Sequence, residues 1–233
     1  MNILITAGGT TEKIDDVRKI TNSGTGRLGA STADCFASYD EVKKIYFVCS
    51  EKAVRPATDK ATVIVADDTN ALEIAVRNLC ADGDIDVVVH SMAVSDYKVK
   101  SVYTGEFADD KIVNLASAES GGKISSDNDN LIILMEKTPK IIALFREYLP
   151  DALLFGFKLL VDASEEKLID VAYNLLIKND CDYVVSNDLR TTGQDNHIAH
   201  IVDREKKYST IIGKDKIAAA ICDISMNRFA TSQ

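Results

Sequence analysis

No apolar run in the chain approaches the ~20 residues that a membrane-spanning helix requires, and no basic stretch precedes a hydrophobic segment at the N-terminus. Neither a bilayer span nor an export signal is expected, so the expected location is cytoplasmic. The five cysteines, Cys35, Cys49, Cys80, Cys181 and Cys222, contain no C-x-x-C pair. That scatter argues against a zinc site and a disulfide framework, and the thiols read as reduced and mostly buried. The three histidines offer no metal-ligand spacing beyond a lone H-x-x-H at His197 and His200, and read as packing or surface residues. Lysine and arginine form no block, and a net charge of -9 repels nucleic acid, which makes DNA and RNA unlikely partners. An anionic ligand would have to be held by a few cations and backbone N–H groups focused in a cleft.

What the chain does have begins at Ile3. Ile3, Leu4 and Ile5 form a short apolar run that Gly8-Gly9 stops, the pattern of a buried first strand ending in a loop. Gly24, Gly26 and Gly29 then open a helical pattern, which puts unobstructed backbone N–H groups where a helix N-terminus holds an anion. The spacing Gly24-Thr25-Gly26-Arg27-Leu28-Gly29 matches the dinucleotide fingerprint G-x-G-x-x-G, with Glu51 near the place of its acidic ribose partner. In that fingerprint, however, the glycines turn straight out of a strand, whereas here a polar insertion from Thr10 to Ser23 intervenes. An NAD(P)-dependent dehydrogenase is thereby weakened as a reading, and Tyr39 with Lys43, the only Tyr-x-x-x-Lys pair, comes too early for the short-chain type. A nucleotide-binding sensor without turnover stays open.

A hydrophobic fraction of 46% with 27% charged residues is ordinary for a soluble globular protein, and 233 residues suit one α/β domain spanning 1–233. Strands are expected at Lys44 to Cys49, Thr62 to Ala66 and Asp86 to His90. They alternate with a helix through Leu28, Ala33, Phe36 and Ala37, and with one that Asn70 and Glu73 would cap and that reaches about Cys80. This alternation predicts a largely parallel sheet with helices on both faces and ligands beyond the carboxyl ends of its strands, after Ala7, Cys49 and His90. Asn22 and Asp96 are expected to meet there. Residues 97–130 lose periodicity and carry Gly105, Gly121 and Gly122, so a long active-site loop or lid is expected. A strand from Leu131 to Met135 precedes a helix with Thr138 as N-cap and Pro139 at its first position, running to about Tyr148. After a strand from Leu153 to Leu159, Asp162 with Glu165 suggests a second capping box for a helix striped by Leu168, Val171, Ala172, Leu175 and Leu176 up to Lys178. A strand from Tyr183 ending at Asn187, a hairpin from His200 to Ile212 and a helix from Ile217 to Phe229 complete the chain.

Ala7-Gly8-Gly9-Thr10, Glu12, Ile14-Asp15, Val17-Arg18 and Ile20-Thr21-Asn22, in this order, closely resemble the opening signature of the phosphopantothenoylcysteine synthetases, the phosphopantothenate-cysteine ligases of coenzyme A biosynthesis. Ala93-Val94-Ser95-Asp96-Tyr97, Lys123-Ile124, Thr138-Pro139 with Ile141, Gly156-Phe157 and Ser186-Asn187-Asp188 follow at family spacing, so the resemblance covers nearly the whole chain. It implies a Rossmann-like ligase that activates the carboxylate of 4'-phosphopantothenate as an acyl-nucleotide with loss of pyrophosphate. The nucleotide is CTP in most bacteria. The amine of L-cysteine then attacks the anhydride. Such chemistry needs positioned charge more than a protein nucleophile, which suits a chain without an obvious Cys-His or Ser-His-Asp set. Mg²⁺ should accompany the nucleotide, its protein ligands are unassigned, and no flavin is implied.

By the same resemblance Asn22 touches the reacting carboxylate, Lys123 meets the triphosphate, and Arg18 lies near the substrate and a subunit contact. Gly8, Gly9, Met92, Ala93, Asp96, Pro139, Phe157 and Lys178 fall at nucleotide-binding positions, and Asn22, Gly24, Thr25 and Gly26 at substrate-binding ones. A symmetric homodimer is implied, with its sites near the interface where Ala93 to Tyr97 and Arg18 lie. Several residues depart from the bacterial pattern. Lys123-Ile124-Ser125-Ser126 replaces Lys-Ile-Lys-Lys, Lys158 and Leu159 follow Phe157 in place of small residues, Asn174 stands for a second lysine, and Asn22-Ser23-Gly24 replaces a usual Ser-Ser-Gly. Such changes resemble the eukaryotic branch, which uses ATP, so ATP is kept as an alternative to CTP, the favoured nucleotide. The chain opens at the ligase's first strand, and the monofunctional form, without a flavin-dependent decarboxylase domain ahead, is expected.

Overall fold

β1 (Asn2–Ala7) is buried from Ile3 onward because its side chains alternate between two apolar layers, Ile3 and Ile5 entering one and Leu4 the other. The computed structural model describes residues 1–108, 111–118, 122–192 and 197–230. The polar insertion folds into an antiparallel ribbon of β2 (Thr11–Lys13) and β3 (Lys19–Thr21), after which α1 (Arg27–Ala37) returns the chain along the sheet. β4 (Lys44–Cys49), β5 (Ala61–Val65), α2 (Thr69–Cys80) and β6 (Val87–His90) follow. β7 (Tyr97–Ala108), β8 (Lys111–Ser117) and β9 (Leu131–Lys137) form a separate antiparallel sheet in the order β8-β7-β9. α3 (Ile141–Tyr148), β10 (Leu153–Leu160), α4 (Glu165–Asn179) and β11 (Tyr183–Asp188) lead back to the main sheet. β12 (Ile198–Asp203) and β13 (Tyr208–Ile212) extend it as an antiparallel edge before α5 (Lys214–Ala230).

The main sheet runs β13-β12-β11-β10-β6-β1-β4-β5, with β11, β10, β6, β1, β4 and β5 parallel, an α/β architecture of Rossmann-like type. β1 pairs with β4 on one side and β6 on the other, so the winding reverses at β1 and leaves a crevice at the carboxyl ends of β1 and β6. α1 and α5 cover one face, where Ala33, Phe36, Ile217 and Ile221 join Ile3, Ile5 and Phe155. α2, α3 and α4 cover the other, where Leu72, Val76, Phe145, Ala172 and Leu176 join Leu4, Val88 and Leu154.

The segment expected to be a long loop, 97–130, is largely sheet. β7 shifts register against β9 between Val99 and Ser101, and against β8 between Thr104 and Glu106, so its twelve residues never keep a clean alternation. β8 is exposed along its full length and shows no buried face to read. Residues 109, 110 and 119–121 of this segment, Gly121 among them, lie outside the described residues. The starts of α2, α4 and α3 also differ from expectation, as does that of α5, which begins at Lys214. Asp68 caps α2, its Oδ1 accepting from Ala71 N at 2.7 Å, and Asn70 lies inside the helix. Ser164 caps α4, while Asp162 sits at φ 56° and pairs with Arg190. α3 begins at Ile141, since Thr138 turns its hydroxyl to donate to Ser95 O at 2.6 Å and Lys140 takes the N-cap position. Among the described residues no helix is long and apolar enough to cross a membrane.

Candidate functional site

Two backbone turns meet at the carboxyl end of β1. Ala93 N donates to Gly8 O (2.9 Å) and Thr10 N to Ala93 O (3.0 Å), so the loop after β6 runs beside the loop after β1. Gly24 packs on the same turn: a Cβ there would stand 2.2 Å from Gly8 O, so only glycine lets the backbones touch. Gly26, at φ 74°, precedes α1 without any side-chain cap, and the first intrahelical bond is Ala30 N to Gly26 O. The amides of Leu28 and Gly29 therefore sit at an open helix N-terminus with no acidic residue in its first turn.

A cleft of about 430 Å³ opens at this point. Its walls are the Ser23–Gly29 turn, Ser91 to Ala93, and Phe157, Leu159 and Asn187 from the carboxyl halves of β10 and β11, with His197 and Lys214 alongside. Arg27 and Lys214 contribute positive charge, and among the described residues no carboxylate lines it. A second cavity of about 360 Å³ shares the Ser23–Thr25 turn and is lined by Gly9, Asn22, Ser50, Lys52, Glu51 and Asp67.

The cleft thus gathers Gly8, Gly24, Thr25, Gly26, Met92, Ala93 and Phe157, while Gly9 and Asn22 line the neighbouring cavity. Asn22 is already engaged: Nδ2 donates to Ala93 O at 3.2 Å, and Oδ1 accepts from Ser95 Oγ at 3.5 Å. Asp96 does not meet it, because its carboxylate pairs with Lys140 while its carbonyl accepts from Thr138 N. Asp96 and the exposed Pro139 line neither cavity. Arg18 is held by Asp15 (Nη1 to Oδ2, 3.0 Å) and donates to Ile124 O at 3.1 Å, which ties the β2–β3 turn to the segment that carries Lys123. The backbone hydrogen bond from Arg18 N, helped by those from Val17 and Ile124 and by the guanidinium charge, holds the Asp15 carboxyl below its usual range against the opposing effect of burial. Lys123 is exposed on that segment and also lines neither cavity. Lys178 lies in the last turn of α4, which starts beyond the carboxyl end of β10 and returns to the amino end of β11, so it stands at the opposite edge of the sheet.

Lys214, Arg27, Asn187 and His197 border the cleft without having been singled out as binding residues. Asn187 appears in sequence only as part of Ser186-Asn187-Asp188. Lys214 escapes because an apolar pattern starting at Ile217 hides the true start of α5 three residues earlier. His197, which reads as packing, is indeed buried at 7% exposure, yet its Nδ1 has no hydrogen-bond partner among the described residues. Burial, and then the Lys214 charge, push its pKa down, with the Thr192 backbone opposing them. His90, behind the cleft, is different: its Nδ1 shares a 2.7 Å hydrogen bond with Thr6 Oγ1, and burial lowers its pKa to about 4.

A solved structure, the DNA/pantothenate metabolism flavoprotein from Streptococcus pneumoniae, is 32% identical and superposes with a TM-score of 0.83 over 100% of both chains. A Cab2 mutant in complex with phosphopantothenate-cysteine shares the fold, with a TM-score of 0.75 at 19% identity over 99% of this chain and 86% of that one. The bifunctional coenzyme A biosynthesis protein CoaBC of Thermococcus kodakarensis is 32% identical over 203 residues, and that of Methanocaldococcus jannaschii 29% over 196. These matches cover 87% and 80% of this chain but 45% and 40% of the relatives, so the chain spans about half the length of the curated proteins it matches. The family of DNA/pantothenate metabolism flavoprotein C-terminal domains matches residues 1–227, and the chain belongs to that family.

Proposed function

We propose that the protein is a phosphopantothenate-cysteine ligase, which activates 4'-phosphopantothenate with a nucleoside triphosphate and joins it to L-cysteine through an acyl-nucleotide. The observation that carries this reading is the cleft at the carboxyl ends of β1 and β6. In a chain of net charge -9 it is lined by two cations and an open helix N-terminus and by no carboxylate among the described residues, the environment a polyanion requires. Kinship with proteins named for coenzyme A biosynthesis supports the same substrate class. Phe157, Met92 and Ala93 offer apolar and backbone surface for a base, and Gly24 to Gly29 offer amides for phosphate. Asn22, whose amide is anchored on Ala93, orients the reacting carboxylate from the adjacent cavity. Among the described residues no cluster of His, Cys, Asp or Glu is built to hold a metal, and the cleft has no carboxylate. A protein-held Mg²⁺ therefore does not fit this cleft, and the ion would arrive on the triphosphate.

CTP is the favoured nucleotide and ATP the alternative, and the working assembly is a cytoplasmic homodimer. The dimer is supported by apolar side chains left in solvent on the β7–β9 sheet, among them Leu115 at 54% and Leu134 at 46% exposure. The deciding assay follows pyrophosphate release with 4'-phosphopantothenate, cysteine, Mg²⁺ and either CTP or ATP. Release dependent on phosphopantothenate is expected. Preference for ATP by more than tenfold would overturn the CTP assignment, and no release with either nucleotide would overturn the ligase itself.

A further inference from the structure

α5 opens onto the same cleft as α1. β13 lies parallel to β11, so its carboxyl end, and with it the start of α5, falls at the edge of the sheet where α1 also starts. Gly213, at φ 104°, begins α5: its N–H donates to His197 O at 2.8 Å, and its own carbonyl accepts from Ile217 N at 3.0 Å. His197 is thereby fastened to the α5 N-terminus.

Both helices place a cation at their first residue, Arg27 on α1 and Lys214 on α5. The positive end of a helix dipole disfavours a cation, so the arrangement on α1, which has no acidic residue in its first turn, is unfavourable until an anion joins it, while on α5 Asp215 in the first turn offsets it in part. His197 supplies an independent observation. The residue is 7% exposed and borders the cleft, and its enclosed Nδ1 has no hydrogen-bond partner among the described residues, although a buried polar atom left unpaired costs free energy that a bound group would recover.

We propose that His197 and Lys214 form a phosphate-holding wall of the cleft at the N-terminus of α5, alongside the amides that open α1. The ammonium of Lys214 neutralises a phosphate oxygen, and Nδ1 of His197 gains in that group the partner that no described residue gives it. The depressed pKa of His197 agrees, because burial and the neighbouring Lys214 charge both hold its imidazole neutral, so that it adds no second positive charge to the wall. The phosphate belongs either to the nucleoside triphosphate or to the phosphomonoester of 4'-phosphopantothenate, an identity that rests on the ligase reading, whereas the wall itself does not.

Calorimetric titration of the wild type and of His197→Leu, His197→Asn and Lys214→Met with pyrophosphate, CTP, ATP and 4'-phosphopantothenate tests this. His197→Leu and Lys214→Met are each expected to weaken at least one phosphate probe by about tenfold or more, the scale of one lost charge-assisted contact. His197→Asn, which keeps an amide donor close to the Nδ1 position, should retain most of the affinity. A loss confined to pyrophosphate, CTP and ATP assigns the wall to the triphosphate, and a loss confined to phosphopantothenate assigns it to the phosphomonoester. Lys214 is half-buried and outside the core, so Lys214→Met carries the test if His197→Leu fails to fold. Unchanged binding of all four probes by folded variants would overturn the proposal, as would a wild type that binds none. Product formation by wild type with unchanged variants sinks the wall and leaves the ligase standing. Weakened probe binding without product formation by wild type does the reverse.

Discussion

His90 shows how a residue's neighbours set the conditions under which the fold survives. It is buried against Phe145 at a ring separation of 5.1 Å, and its pKa is lowered from 6.5 to about 4. The unfolded chain therefore takes up this proton near pH 6.5 while the native chain refuses it until about pH 4. Between those values the unfolded state binds more protons and stability falls as pH falls. A shift of this size corresponds to about 3 kcal/mol, and burial depresses His197 and His200 in the same direction. Urea midpoints measured from pH 7 to pH 4.5 should decline for the wild type and decline less steeply for His90→Asn; equal slopes would remove His90 as the source. That the histidine is packed was legible in an apolar strand ending at position 90. Its partner Thr6, 84 residues away, was not, because sequence order says nothing about which strands become neighbours.

At the level of elements, legibility follows periodicity. β1, β4, β6 and α4 stand out because a buried strand or a one-sided helix repeats its apolar residues at a fixed interval, and their observed limits fall within a residue or two of those expected. Helix starts are less legible where several cap-forming residues run together, as in Asp67-Asp68-Thr69-Asn70, and only the backbone path selects one of them. The selection has a measurable consequence. Asp68→Ala should cost about 1 kcal/mol, on the order of 2–4 °C in melting temperature for a chain of this size, because Ala71 N loses its acceptor. Asn70→Ala, at an exposed position inside α2, should change stability by less than about 0.5 kcal/mol. Equal effects in thermal melts would restore Asn70 as the cap. The cleft was legible only in part, for a related reason. Its glycines and Phe157 lie in recognisable runs, whereas Lys214 and His197 reach it through the β12–β13 hairpin, whose fold-back carries no chemical motif.

At the level of the whole molecule, the residues expected to carry catalysis divide into two groups. Asn22 stands in the cavity beside the cleft, while Arg18 and Lys123 sit together on the side of the β7–β9 sheet and line neither cavity. In the proposed homodimer, Arg18 and Lys123 of one protomer would complete the site of the other, an exchange that a two-fold axis makes reciprocal. Light scattering should give twice the 25.4 kDa chain mass, and Leu115→Asp combined with Leu134→Asp should shift it toward the monomer. Complementation then tests the division. Lys123→Ala and Asn22→Ala are each expected to lose most ligase activity alone. Mixed under conditions that exchange subunits, half of the dimers should be hybrid, each with one site that has both residues intact, and about a quarter of wild-type activity should return. If Lys123 serves the cleft of its own chain, both sites of every hybrid stay defective, and the mixture will remain as inactive as its components.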